Sequence, residues 1–325
     1  MSLPRMLRIS QHFDAPVVED IPGIVRQEVA EMKLEQKIKP GESVAISVGS
    51  RGINNIALIT KCLVEEFKSL GLNPFLVPAM GSHGGGIAQA QQEIIEGYGV
   101  TEEYVGAPIK SSMDTVQIGE TEDGVPVFFD KFAYEADHVV VVGRIKPHTD
   151  FVGEIESGLH KMMLIGLGKH RGAALYHQAI VHYSFDRIIR SVGQKVIEQC
   201  GILMGLAIVE NQYDKTALLK AVAPEEFVDR EKELLIKAKE WMPRLPFDSV
   251  DLLIVDAIGK NISGAGMDTN VVGRKFHDNH AAEKEYPKVT RILVRGLTPE
   301  THGNASGIGT AEYAHRRAID EMDRE

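Results

Sequence analysis

The sequence predicts an α/β protein of two domains, each built on a mostly parallel sheet flanked by helices. Three observations lead there. From Ile21 to Gly97, apolar strand-like runs alternate with amphipathic helical stretches, the βαβα rhythm of a parallel sheet. Val139 to Val142 is an unbroken β-branched run, the pattern of a strand covered on both faces. Pro243, with Pro246 close behind, stops a helix ahead of a fresh βα unit, which divides the chain into domains 1–244 and 245–325.

Taken in order, residues 1–20 read as strand-like and irregular. Ile21 to Lys37 carries a helical pattern, with Ile24, Val25, Val29 and Met32 apolar and Pro22 opening it. Ser43 to Val48 is a short strand, with Gly49-Ser50-Arg51-Gly52 as the turn after it. Asn54 to Ser69 is a helix presenting Ile56, Ile59, Leu63 and Phe67 on one face. Pro74 to Pro78 is a second strand, followed by Met80 to Gly86 and a helix over Ala88 to Gly97. Ile109 to Phe129 reads as short β segments joined at Glu122-Asp123-Gly124. Val139 to Ile145 is the most apolar strand and the expected centre of the sheet. Ser157 to Leu167 and Ala173 to Cys200 read as helices, Leu203 to Val209 and Ala217 to Val222 as strands. Pro224 to Met242 is an amphipathic helix with Phe227, Leu234, Leu235, Ala238 and Trp241 on one face. The second domain opens with a strand over Asp251 to Val255 that leads into Gly259-Lys260, and Arg291 to Val294 is a further strand. Ala311 to Glu325 reads as a helix cut off in mid-course.

Composition narrows the function classes. A net charge of −10 without a basic tail argues against nucleic acid as a partner. Apolar runs stay short of the roughly 18 residues a membrane span needs, and the N-terminus lacks a signal-peptide pattern. Cys62 and Cys200 lie far apart inside predicted helices and read as buried thiols of a reducing cytoplasm.

The chemistry-bearing residues concentrate in Val139 to His182, which holds five of the twelve histidines together with Lys146, Lys161 and Lys169. His148 ends the buried strand, at the edge where open α/β sheets place ligands. Ser82-His83-Gly84-Gly85-Gly86 lies between a strand and a helix, where glycines let backbone approach a phosphate and the helix N-terminus favours its charge. A histidine there suits acid/base work, because its ordinary pKa is near neutral. Lys161, framed by Leu159, Met162, Met163 and Leu164, is the lysine that desolvation would make nucleophilic. Arg51 and Lys260 each follow a strand and suit a carboxylate. His160 reads either as a packed core residue or as part of the site, and His170-Arg171 as a helix C-terminus. His177 and His182 do not share a helix face. His277 and His280 read as a solvated turn. The dinucleotide G-x-G-x-x-G, the P-loop, H-E-x-x-H and C-x-x-C are all missing from the sequence.

In combination, Gly81-Ser82-His83, Ile145-Lys146-Pro147-His148, Gly158-Leu159-His160-Lys161, His177 sixteen residues after that lysine, and Gly259-Lys260 resemble the nickel-pincer lactate racemases and their 2-hydroxy-acid racemase and epimerase relatives. The resemblance covers nearly the whole chain. It implies two α/β domains with the active site in the cleft between them. It also implies a nickel-pincer nucleotide: a pyridinium mononucleotide holding nickel through thioamide and thiocarboxylate arms. Lys161 matches the lysine joined to that cofactor through the thioamide. His177 matches the nickel ligand, with His170 and His182 as alternatives. His83 and His148 match the acid/base pair on opposite faces of the substrate, and Arg51 and Lys260 the substrate-binding cations. The phosphate is expected at the turn of Ser82, Gly84 and Gly85. Partners implied are a small 2-hydroxy acid and, transiently, the enzymes that make the cofactor, with no nucleic acid and no membrane.

The expected activity, inversion at C2 of a 2-hydroxy acid, fits these residue types. The C2–H bond is too weakly acidic for a side-chain base, so a cofactor must accept hydride. The protein supplies one base per face for the hydroxyl proton and cations for the carboxylate. A nicotinamide-type oxidoreductase, a metal-dependent hydrolase and a non-catalytic binding module for an acidic metabolite or nucleotide are the rival readings.

Overall fold

In the computed structural model of the protein, residues 6–50, 52–150, 152–275 and 286–323 are described. Residues 6–20 form no strand; Val18 N donates to Thr216 O at 2.8 Å. Asp20 accepts from Gly23 N at 2.9 Å and caps α1 (Ile21–Glu31), with Pro22 in its first turn. The helical pattern read through Lys37 breaks early, because Lys33 turns left-handed at φ 50° ahead of a single 3₁₀ turn. Then come β1 (Ser43–Val48), α2 (Ile56–Ser69), β2 (Asn73–Pro78), α3 (Ala88–Gly97) and the one-turn α4 (Glu102–Val105). A hairpin of β3 (Thr115–Glu120) and β4 (Pro126–Asp130) leads through the one-turn α5 (Lys131–Tyr134) to β5 (His138–Arg144).

The helices after β5 differ from the sequence expectation. Ser157 to Leu167 is not one helix: the turn α6 (Leu159–Lys161) widens into a π-helical segment, Met162–Gly166. Ala173 to Cys200 is two helices, α7 (Lys169–Tyr183) and α8 (Phe185–Gln199), broken at Ser184, whose φ is 93° and whose hydroxyl caps α8. Next are β6 (Ile202–Glu210), β7 (Thr216–Val222) and α9 (Phe227–Glu240).

These strands form a sheet in the order β2-β1-β5-β6-β7, parallel except for the antiparallel edge strand β7. The valine run of β5 is central, and its alternation explains its composition. Val139 and Val141 enter the core that includes Leu159, Tyr176, Ile188, Val192 and Phe227. Val140 and Val142 enter the opposite core with Val25, Ile59, Leu63 and Phe67. Burying each such side chain contributes about 1.5–3 kcal/mol.

The chain divides into two compact units. One is Pro16–His148 with Val152–Trp241 and holds the five-stranded sheet. The other gathers the described residues of Met1–Ala15, Thr149–Phe151 and Met242–Glu325. It contains β8 (Ser249–Val255), α10 (Thr269–Val272), β9 (Lys288–Val294), β10 (Tyr313–Ala314) and α11 (Arg316–Asp320). Its sheet is parallel in the order β10-β9-β8, over a core of Ile258, Met267, Val272, Val289, Ile292, Val294 and Ala318. The helix expected from Ala311 is therefore a correction: Tyr313 and Ala314 pair with Leu293 and Val294, and extended His315 delays the helix to Arg316.

Candidate active site

Because β1, β2, β5 and β6 run parallel, the segments following each of them meet at one sheet edge, the usual ligand edge of an open α/β sheet. Ser50 leaves β1, the 80–86 turn leaves β2 and Arg144 to His148 leave β5. Arg144 is fastened there by Glu210 of β6, whose Oε1 also accepts from Asn54 N at 2.6 Å.

His83 opens a turn in which Gly84, Gly85 and Gly86 have φ of 62°, 66° and 67°. Three successive left-handed residues explain the glycine run, since other side chains resist that region. Beneath the turn, fully buried Gln91 donates through Nε2 to Gly81 O at 2.8 Å and His83 O at 3.0 Å. The half-buried His83 ring shares a hydrogen bond between its Nδ1 and the Oγ of buried Ser50.

His148 is held by its main chain. Its N–H donates to Glu156 Oε2 at 2.8 Å, while Glu156 Oε1 accepts from Lys239 Nζ at 2.8 Å. The Lys146–Ser157 bridge closes the base of this loop. The His148 ring lies 5.9 Å from Phe185, tilted at 44°.

Lys161 ends α6 where the π segment begins, a local irregularity often found at functional sites. The π segment packs close to the strand ends. A Cβ on Gly143 would meet Met162 Cγ at 3.0 Å, one on Gly81 would meet Ile165 Cγ2 at 3.0 Å, and one on Gly166 would meet Ala79 O at 2.9 Å. Lys161 is half-buried, with Nζ 3.4 Å from Ser157 Oγ.

Its neighbour His160 is a core residue, 1 % exposed. His160 Nδ1 donates to Glu231 Oε2, and His160 N donates to the same oxygen at 3.2 Å. Glu231, on α9, is equally buried. A second buried pair anchors the start of α7: Lys169, at φ 55°, places Nζ 2.9 Å from Asp130 Oδ2 and 2.5 Å from Pro78 O.

Several expectations change here. His170 and Arg171 lie in the first turn of α7, not at a helix C-terminus, because Gly166 and Gly168 separate the π segment from a new helix. The His170 ring packs over Gly86, and the Arg171 guanidinium stacks 4.1 Å from the Phe128 ring centroid. His177 is exposed on α7, its Nδ1 donating to Ala173 O at 2.7 Å. His182 is exposed near the end of the same helix. Lys260 belongs to the other unit, with Nζ 2.6 Å from Gly264 O and 3.1 Å from Ser306 Oγ. Arg51, His277 and His280 lie outside the described residues.

Sequence reasoning missed Ser50, Gln91, Glu156 and Glu231 as members of this edge. For Glu231 a signal existed: it falls at helical spacing within the apolar face of Phe227, Leu234, Leu235 and Ala238.

Among the described residues no three or more of His, Cys, Asp and Glu are grouped to hold a metal ion, and no helix is long and apolar enough to cross a membrane. The family model of the lactate racemase N-terminal domain matches residues 7–187. The solved structure of the lactate racemase apoprotein from Thermoanaerobacterium thermosaccharolyticum is similar in fold, with a TM-score of 0.55 at 16% identity over 86% of this chain and 68% of that one. No curated protein matches the sequence.

Proposed function

The chain belongs to the lactate racemase N-terminal domain family, and from that membership we propose that it is a racemase or epimerase inverting C2 of a 2-hydroxy acid. The observation that supports this reading is that His83 follows β2 while His148 and the Lys161 turn follow β5, parallel strands that end at one edge of the same sheet. The residue types there fit a nickel-pincer nucleotide. Lys161 offers a half-buried primary amine beside the strand ends, and the 84–86 turn offers backbone that a phosphate can approach. His177 is the imidazole assigned to the metal, with His170 and His182 as alternatives on the same helix.

Lys161 would tether the group, His177 would ligate its metal and Ser82, Gly84 and Gly85 would face its phosphate. When bound, the group supplies a reversible hydride acceptor for C2. His83 and His148 take the hydroxyl proton, one on each face, and return it as the product forms. Arg51 and Lys260 are the cations assigned to the carboxylate.

The test is co-expression with cofactor-making enzymes, followed by intact-protein mass, nickel analysis and chiral chromatography of a panel of 2-hydroxy acids. The wild type gains mass and nickel and racemises at least one acid. Lys161→Ala and Lys161→Arg lose the added mass and stay folded. His83→Asn and His148→Asn keep the mass and lose about 10²–10⁴ in rate. A mass gain that survives in Lys161→Ala moves the tether elsewhere, with Lys146 or Lys169 next in line.

A further inference from the structure

We propose that Lys169 is a positioning residue of the candidate active site: its buried side chain ties the strand that carries the His83 turn to the junction between the Lys161 segment and the helix of His177. This rests on the racemase reading for what the sheet edge does, and names the group that sets the edge's geometry. Lysine is seldom fully buried unless paired, yet Lys169 is 0 % exposed, as is its partner Asp130. Lys169 Nζ donates to Pro78 O at 2.5 Å and lies 2.9 Å from Asp130 Oδ2. Pro78 ends β2, and Ala79 leads from it into the His83 turn. Asp130 ends β4 and caps α5, its Oδ1 accepting from Ala133 N at 2.8 Å.

The main chain of Lys169 forms the other half of the tie. The residue opens α7 shortly after the π segment, Met162–Gly166, and its φ of 55° is left-handed. A side chain resists that region, so the surrounding contacts must hold the residue in it. The segments it joins touch one another as well. Gly81 N donates to Gly166 O at 3.3 Å, and a Cβ on Gly166 would meet Ala79 O at 2.9 Å. The start of α7 reaches the same turn, since the His170 ring packs over Gly86. One residue thus fastens the ends of β2 and β4, the π segment and α7 in a single arrangement.

Stability alone is a poor reason for this choice of residue. A buried ion pair loses the hydration of both charges, and apolar side chains of similar volume often stabilise as well or better. What the pair adds is register. An apolar side chain would fill the same space while letting its neighbours slide. The Lys169 side chain is satisfied only with Pro78 O and the Asp130 carboxylate at their present distances. A reaction that needs groups from the β2 turn, the Lys161 turn and α7 held together depends on such register, because a misplacement of about 1 Å costs about 100-fold in rate.

The experiment replaces the pair by apolar side chains, Lys169→Met together with Asp130→Leu, in the full chain. Urea unfolding and the ring signals of ¹⁵N-labelled histidines are read without cofactor; kcat, KM and intact mass are read after co-expression with the cofactor-making enzymes. The expected result is a midpoint of urea unfolding close to wild type and a shifted or broadened His83 signal, identified by His83→Gln. The signal of His138, at the far end of the sheet beside Glu42, stays in place. The loaded variant keeps the added mass and its KM and loses about 10–100-fold in kcat. An unmoved His83 signal overturns the proposal whatever the midpoint, and so does a shift that His138 shares. Wild-type kcat in the folded variant overturns it too, since a merely structural pair would change stability alone. Lost mass overturns it by making Lys169 the carrier of the cofactor. If the double variant does not fold, the wild type decides: a slowly exchanging ¹H–¹⁵Nζ signal with cross-peaks to Pro78 is expected, and exchange as fast as that of surface lysines overturns the proposal. The spectra need no turnover, so a wild type inactive on every acid counts against the racemase reading and leaves the His83 signal to decide the role of Lys169.

Discussion

His83 and His160 belong to the same unit and carry the same ring, yet their surroundings are opposite. His83 stands half-buried on a left-handed glycine turn, with a neutral hydroxyl on Nδ1. His160 is sealed in the core, with a carboxylate on both its ring and its main chain. The first arrangement leaves the ring partly open to solvent at the edge of the sheet. The second gives its ring Nδ1 and its main-chain N–H to one partner 71 residues away, in the helix that covers the Lys161 turn. Closeness in sequence to Lys161 therefore does not by itself bring a histidine to the sheet edge: His160, its immediate neighbour, is sealed in the core.

The sharpest way to break that comparison is to remove each partner. Glu231→Ala leaves two buried donors, His160 N and Nδ1, without their acceptor, and the expected loss is about 2–4 kcal/mol of unfolding free energy. Ser50→Ala leaves a half-buried ring within reach of water, and the expected loss is about 1 kcal/mol or less. Urea unfolding of both variants measures the gap. Equal losses would erase the distinction between a histidine sealed in the core and one held on a half-buried turn.

A smaller effect tests the packing around the core pair. A Cβ on Gly193 of α8 would lie 2.5 Å from His160 Cδ2. Glycine to alanine inside a helix ordinarily gains up to about 1 kcal/mol. Here overpacking costs about 1–3 kcal/mol, so Gly193→Ala should destabilise, with the midpoint of urea unfolding falling. A rise in that midpoint would mean that the His160 ring has room to move.

The same contrast explains what was legible in the sequence. Val139 to Val142 announced a central strand because burial on both faces leaves a continuous signature that needs no partner to recognise. The edge positions of His83 and His148 followed from the strands that precede them. The partners did not follow. Ser50 meets His83 across 33 residues and Glu231 meets His160 across 71, and periodicity carries no information over such separations. Local backbone also escaped detection where a non-glycine residue takes a left-handed φ, as Lys33 and Lys169 do at 50° and 55°. The π segment is likewise a tertiary product, shaped by the close glycine contacts at Gly81, Gly143 and Gly166.

Cys200 extends the comparison to a buried titratable group whose environment is governed by desolvation alone, and its effect is the smallest and confined to alkaline pH. Burial pushes its thiol from 9.0 up to about 12. Between those values the unfolded chain releases the proton while the folded chain keeps it. The folded state then binds more protons, so stability falls as pH rises through that window and is unaffected below it. The slope from one such group is at most about 1.4 kcal/mol per pH unit. Cys200→Ala removes this term, so wild type and variant should differ by a constant amount up to about pH 8 and converge above pH 9 as the wild type loses ground. Tyr176, raised chiefly by burial from 10.0 to about 12, adds a similar decline that starts later. Urea unfolding of the pair at intervals from neutral to alkaline pH reads the convergence. A difference that stays constant through pH 10 would mean that the Cys200 thiol ionises as readily in the folded protein as in the unfolded chain.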